Sequence, residues 1–247
     1  MPTIGISGKG GTGKTTIAGL IIRHLLNKKL QPVLAVDADP ASNLNSVLGV
    51  EVQMTVSEIV EKLKQEQDNL PGGMSKPEYI NFMLSSNITE AKGFDLLVMG
   101  RPEGQGCYCS VNNFLRVAIE QMAKSYKFMV IDNEAGMEHL SRKTTAKIDL
   151  MVIVSDPSYR GIRTAGRIKE IIKELNLEVK EDIFILNRLE GEINKELLDE
   201  IETQNLKIYG TLPADPLVNE YDRMAKPLFD LPLDSPISTA FTDIWRY

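Results

Sequence analysis

Cysteine is almost missing from this chain of 247 residues: only Cys107 and Cys109 occur, one residue apart. Two thiols so close together do not make a structural disulfide, so stability must come from a core and the pair is left for chemistry. Histidine is equally scarce, with His24 and His139 alone. Positive charge is in deficit, at 28 lysines and arginines against 34 acidic residues, a net charge of −6. That balance offers no general basic surface and predicts no nucleic-acid partner. Apolar runs long enough to cross a bilayer are absent. The start, Met1-Pro2-Thr3, leads straight towards a first strand without a charged and apolar leader. The expectations are a cytoplasmic protein, no membrane partner, and a single domain over residues 1–247.

What is present begins at once. Thr3-Ile4-Gly5-Ile6-Ser7 is a short apolar strand, followed by Gly8-Lys9-Gly10-Gly11-Thr12-Gly13-Lys14-Thr15-Thr16. The spacing satisfies G-x-x-x-x-G-K-[ST], a phosphate-binding loop between a strand and a helix. Its glycines let successive N–H groups turn inward as a nest for phosphate oxygens, and the helix N-terminus adds positive partial charge. Gly10, Gly11, Thr12, Gly13, Lys14, Thr15 and Thr16 are thus the candidate phosphate contacts. Lys14 is placed for the β- and γ-phosphates, and the Thr15 hydroxyl for Mg²⁺.

Further on, apolar runs alternate with amphipathic stretches. Helical spacing covers Ile17 to Lys29, and strands are read at Val33 to Asp37, Phe94 to Met99, Phe128 to Asp132, Leu150 to Val154, Ile183 to Leu186 and Lys207 to Leu212. Helices are read near Asn112 to Lys124, Ile162 to Leu175, Asn194 to Gln204 and Ser235 to Trp245. Residues 55–92 are read as a helical excursion, with helices at Val56 to Gln67 and Pro77 to Leu84. Alternation of this kind predicts the α/β class: a mostly parallel sheet with helices on both faces. Ligand loops then gather at the carboxyl ends of the strands. The phosphate loop and the segments Asp37 to Asn45, Gly100 to Cys109 and Asp132 to Arg142 should meet there.

Asp37 and Asp39 follow their strand directly, and two carboxylates at this edge can orient an attacking water and hold the shell of Mg²⁺. Asp132 ends another strand, as a residue holding Mg²⁺ through water would. Gly136 permits the following loop to rearrange, and His139 within it fits packing or hydrogen bonding better than metal binding. Asn187 and Arg188, with Pro213 and Asp215, end the later strands, where a base would lie. An asparagine can both donate to and accept from adenine. Asn187-Arg188-Leu189-Glu190 stands in place of a guanine signature, which favours ATP over GTP. Cys107 and Cys109 can hold a soft metal, but Zn²⁺ usually takes four ligands, which one chain does not supply here. A two-fold homodimer would supply them.

Lys9-Gly10-Gly11 followed by Lys14-Thr15 resembles the deviant phosphate loop of the MinD, ParA and nitrogenase iron protein superfamily. The resemblance implies that Lys9 reaches the partner's nucleotide across a homodimer. It also implies that Asp39 activates the hydrolytic water, that Asn43 helps sense the γ-phosphate, and that Asn187 and the Pro213-x-Asp215 segment bind adenine. With Cys107-Tyr108-Cys109 and Ala135-Gly136-Met137-Glu138-His139-Leu140 added, the chain resembles the CooC family of nickel-handling ATPases. That resemblance implies ATP-driven dimerisation, Ni²⁺ or Zn²⁺ on the cysteines of two chains, and carbon monoxide dehydrogenase or acetyl-CoA synthase as client. A nitrogenase-type reductase would need a cysteine between Asp132 and Arg142, and none is there. The alternative reading is a positioning ATPase like MinD or ParA, a nucleotide switch without metal.

Overall fold

The computed structural model describes residues 1–66, 73–101, 108–134 and 147–247, with the side chains of 76–77, 108–110, 112–113 and 121 left aside. Eight strands form one sheet: β1 Thr3–Gly8, β2 Val33–Ala38, β3 Thr89–Ala91, β4 Phe94–Val98, β5 Phe128–Asn133, β6 Lys147–Ser155, β7 Glu178–Leu189 and β8 Ile208–Pro213. Their order across the sheet is β3-β4-β2-β5-β1-β6-β7-β8. Every pairing is parallel except that of β3 with β4. The helices are α1 Lys14–Asn27, α2 Leu44–Leu48, α3 Val56–Gln65, α4 Lys76–Asn87, α5 Tyr108–Met122, α6 Tyr159–Glu174, α7 Lys195–Thr203, α8 Pro216–Arg223 and α9 Pro236–Ile244.

The apolar runs are continuous because both faces of the sheet are covered. In β2, Val33 and Ala35 join a core with Ile17, Ile21 and Leu25 of α1 and Phe241 of α9. Leu34 and Val36, pointing the other way, join Ile59 of α3, Leu84 of α4 and Leu115 of α5. Ile148, Met151 and Ile153 of β6 pack with Ile162 and Ile168 of α6 and Ile201 of α7. A side chain such as Ile21, wholly buried, contributes about 1.5–3 kcal/mol by leaving water.

One polar side chain is built into this packing. Arg23 of α1 is buried and donates to the Leu231 carbonyl at 2.7 Å and the Ser238 hydroxyl at 2.6 Å. Those bonds tie the first helix to the C-terminal segment and satisfy a guanidinium that would otherwise be costly to bury.

Three expectations need correction. The stretch 55–92 is not wholly helical, because it ends in β3, which closes one sheet edge as an antiparallel strand. β7 runs from Glu178, five residues before its apolar part, because the polar half pairs through its backbone with Lys147 to Met151 of β6. The loop after β4 is shorter than read, since α5 begins at Tyr108 and takes in the backbone of Cys109. Cys107 and the segment 135–146, with Gly136 and His139, lie outside the described residues.

Candidate nucleotide site

The parallel sheet brings five strand ends to one edge. β1 delivers the phosphate loop, β2 the segment from Asp37, β5 Asp132, β7 Asn187 and β8 Pro213. Gly13 caps α1 with φ 92°, a left-handed conformation that suits glycine. A Cβ there would also stand 2.3 Å from Nδ2 of Asn187. That close approach has a cause: Asn187 is buried and donates from Nδ2 to the Thr12 carbonyl at 2.8 Å. β7 therefore braces the phosphate loop from the side. Within the loop, the Lys9 carbonyl accepts from the Thr12 hydroxyl at 2.9 Å and from Lys14 Nζ at 3.3 Å.

Asp132 sits beside this loop and is buried, its register partners being Ile6 of β1 and Asp37 of β2. Burial pushes its carboxyl up to about 7, against a hydrogen bond from the Thr15 side chain and the charge of Lys14, while Asp37 and Asp39 push the same way as burial. Oδ1 of Asp132 has no hydrogen-bond partner among the described residues. Lys14 is lowered by burial, opposed by the charges of Asp132, Asp39 and Glu134. An orphaned carboxylate oxygen beside a threonine hydroxyl is a donor set of hard oxygens, and it fits Mg²⁺. Thr15 and Asp132 are the residues that would hold that ion.

Asp37 has a different environment. It is fully buried, and burial pushes it up to about 6 against N–H bonds from Leu44, Asp39 and Asn43. Its Oδ2 accepts from the Leu44 N–H at 2.9 Å and its Oδ1 from the Asp39 N–H at 3.1 Å. Both oxygens are thus engaged by backbone. Asp39 is more open, with Oδ1 accepting from the Ala41 N–H at 2.8 Å.

Two cavities adjoin the loop. The larger, about 670 Å³, is walled by Gly10, Gly11, Gly13, Lys14, Thr15 and Asp39, among others. The smaller, about 150 Å³, is lined by Asn187, Arg188, Pro213 and Asp215. Thr16, Arg188, Val218 and Asn219 border both, so the two are neighbouring spaces that share a wall. Asn187 Oδ1 is buried without a partner among the described residues. Asp215 is occupied structurally, accepting from the Leu217 N–H at 2.9 Å and the Ile237 N–H at 3.1 Å. Val218 and Asn219 of α8 were missed by sequence reasoning; only the Pro213-x-Asp215 turn before them hinted at their place.

Lys9 is half-buried, and its ammonium has no partner among the described residues. No group of three or more His, Cys, Asp or Glu among the described residues is arranged to hold a metal ion, and the side chains of Cys107 and Cys109 are not among those described. No helix among the described residues is long and apolar enough to cross a membrane.

Comparison with known proteins agrees with this architecture. The chain is 47% identical to an uncharacterised ATP-binding protein of Methanocaldococcus jannaschii, over 95% of this chain and 93% of the relative. It is 29% identical to the carbon monoxide dehydrogenase accessory protein CooC of Rhodospirillum rubrum, over 92% of this chain and 89% of that one. The septum site-determining protein MinD of Pyrococcus horikoshii, solved with Mg-ADP, superposes with a TM-score of 0.68 at 25% identity, covering 98% of this chain and 93% of the other. Residues 4–228 match the CobQ/CobB/MinD/ParA nucleotide binding domain. With its phosphate loop, parallel sheet and clustered strand ends, the chain is a P-loop ATPase and belongs to the CobQ/CobB/MinD/ParA family.

Proposed function

We propose that this protein is an ATP-driven switch of the MinD/ParA kind, acting as a homodimer. The observation that carries the reading is the meeting of Lys14, Thr15 and Asp39 around one cavity of about 670 Å³, with the buried Asp132 carboxyl bonded to the Thr15 side chain. The phosphate loop holds the β- and γ-phosphates through its N–H groups and Lys14. Mg²⁺, when bound at Thr15 and Asp132, would neutralise phosphate charge. Asp39 orients a water and takes up its proton as the water oxygen attacks the γ-phosphorus. The bond from that phosphorus to the bridging oxygen breaks, and ADP and inorganic phosphate leave.

Asn187 commits one amide N–H to the Thr12 carbonyl, and its Oδ1, without a partner among the described residues, is an acceptor that suits the exocyclic amine of adenine. Arg188, Pro213 and the turn at Asp215 enclose the base. Lys9, whose ammonium has no partner among the described residues, reaches the partner's nucleotide. The test is phosphate release from ATP and GTP. Wild type should turn over ATP well above GTP, and Asp39→Ala should bind ATP but release phosphate at least about a hundredfold more slowly. Wild type that hydrolyses neither nucleotide overturns the reading.

A second reading has one specific observation in its favour, the likeness to CooC along nearly the whole chain together with Cys107-Tyr108-Cys109. On it, the closed dimer assembles four thiolates, carries Ni²⁺ or Zn²⁺ as cargo, and passes nickel to carbon monoxide dehydrogenase or acetyl-CoA synthase. The family match and the likeness to MinD support the switch without adding to the metal part. Titration with Ni²⁺ and Zn²⁺, with and without ATP, separates the two. One ion per dimer, lost in Cys107→Ser/Cys109→Ser, supports the cargo reading, and no metal uptake by wild type leaves the metal-free switch.

A further inference from the structure

Asp37 and Asp132 stand opposite each other at the ends of adjacent strands, paired in register. Both are buried carboxylates. Position in the sequence gives them the same expected role towards Mg²⁺, yet their hydrogen bonding differs. Oδ1 of Asp132 is unpartnered, while Asp37 spends one oxygen on the N–H of Asp39 and the other on the N–H of Leu44.

These contacts bracket the hydrolytic loop. Asp39 opens it and Leu44, wholly buried, begins α2. Between them, the Asp39 carbonyl accepts from the Ser42 N–H at 3.0 Å, which folds the loop into a tight turn with Ser42 at φ 48°. α2 is itself seated hard on α1: a Cβ at Gly19 would stand 2.5 Å from Cγ1 of Val47. One carboxylate therefore fastens both ends of the loop to the end of β2 and to the start of a helix packed closely on α1.

We infer that Asp37 is a positioning residue for hydrolysis: it clamps Asp39 and the start of α2 as one unit, and it is not a member of the Mg²⁺ shell. The inference rests on the ATPase reading above. Charge-assisted bonds from buried N–H groups are strong, and an Mg²⁺ ion recruiting Asp37 directly would compete with two of them for the same oxygens.

The experiment compares wild type with Asp37→Asn, which keeps the shape but turns an NH₂ towards one of the N–H donors. Steady-state ATP hydrolysis is measured across Mg²⁺ and ATP concentrations, with ATP affinity measured separately. The expected result is kcat reduced about tenfold or more, from one buried N–H left facing a donor, with ATP affinity and the Mg²⁺ concentration for half-maximal rate both unchanged. A rate restored by excess Mg²⁺, an unchanged kcat, or ATP affinity lost together with kcat would each overturn it. Hydrogen exchange of the wild-type Leu44 and Asp39 amides supplies an arm that needs no variant. Both amides should stay protected when Mg²⁺ and ATP are added, and loss of protection on adding Mg²⁺ overturns the inference. Wild type without ATPase activity would instead defeat the functional reading, leaving the exchange measurement to judge Asp37 alone.

Discussion

At the scale of residues, the molecule uses the same side-chain types for unlike purposes, and only their neighbours tell them apart. Asp132 holds a free oxygen towards the phosphate loop, Asp37 secures a turn, and Asp215 caps α8 while bonding the start of α9. A fourth aspartate, Asp149, pins three strands, accepting from the Thr3 N–H of β1 and from Lys180 of β7, each at 2.9 Å. Partial burial pushes its carboxyl up, but the bonds from Lys180 and Thr3 and the charges of Lys180 and Lys147 outweigh that, and its pKa lies below 3.8. A carboxyl depressed in the fold stabilises above its unfolded pKa and loses that contribution as pH falls through the folded value. Urea midpoints of wild type and Asp149→Asn should therefore differ at pH 7 and converge as pH drops below about 3.8. A gap that is constant or widens in acid would contradict the assignment.

The phosphate loop was legible at this scale because its residues are contiguous and its chemistry fixes their spacing. The clamp by Asp37 was not, since a carboxyl strand end with two aspartates reads equally as metal shell or as turn. Arg23 was not legible either. Its partners lie 208 and 215 residues away, and nothing local marks a buried arginine inside an amphipathic helix.

Among the elements, α1 carries the most, since it begins at the phosphate loop and fills one face of the core. Its Ile17, Ile21 and Leu25 are spaced on one side and wholly or almost wholly buried. Ile21→Ala should destabilise the fold by about 2–5 kcal/mol, read as a lower denaturant midpoint with little change in slope. A loss below about 1 kcal/mol would mean the site collapses around the gap. Elements with continuous apolar runs were readable because both sheet faces are dry. The missed pieces are those held by backbone alone or too short for a period. β3 has three residues and α2 five, and the first half of β7 is polar and exposed. α5 begins ahead of its expected start because Tyr108, Cys109 and Ser110 break no helix but show no apolar face that would announce one.

For the molecule as a whole, strand order decides where chemistry can occur. With β1 between β5 and β6, the phosphate loop has Asp132 on one side and the β6–β7 half of the sheet, carrying Asn187, on the other. This placement was readable in advance from alternation and the rule for parallel sheets, although the register that pairs Asp37 with Asp132 was not. Among the described residues the Lys9 ammonium has no partner, and it belongs to the loop that lines the nucleotide cavity. On the proposed function, a second copy gives that charge a partner and ATP controls association. The most direct test is the molecular mass in solution of Asp39→Ala with no nucleotide, with ADP and with ATP, alongside Asp39→Ala combined with Lys9→Ala. The account predicts a dimer with ATP alone that the added Lys9→Ala change abolishes; a mass indifferent to ATP, or a dimer indifferent to Lys9, would contradict it.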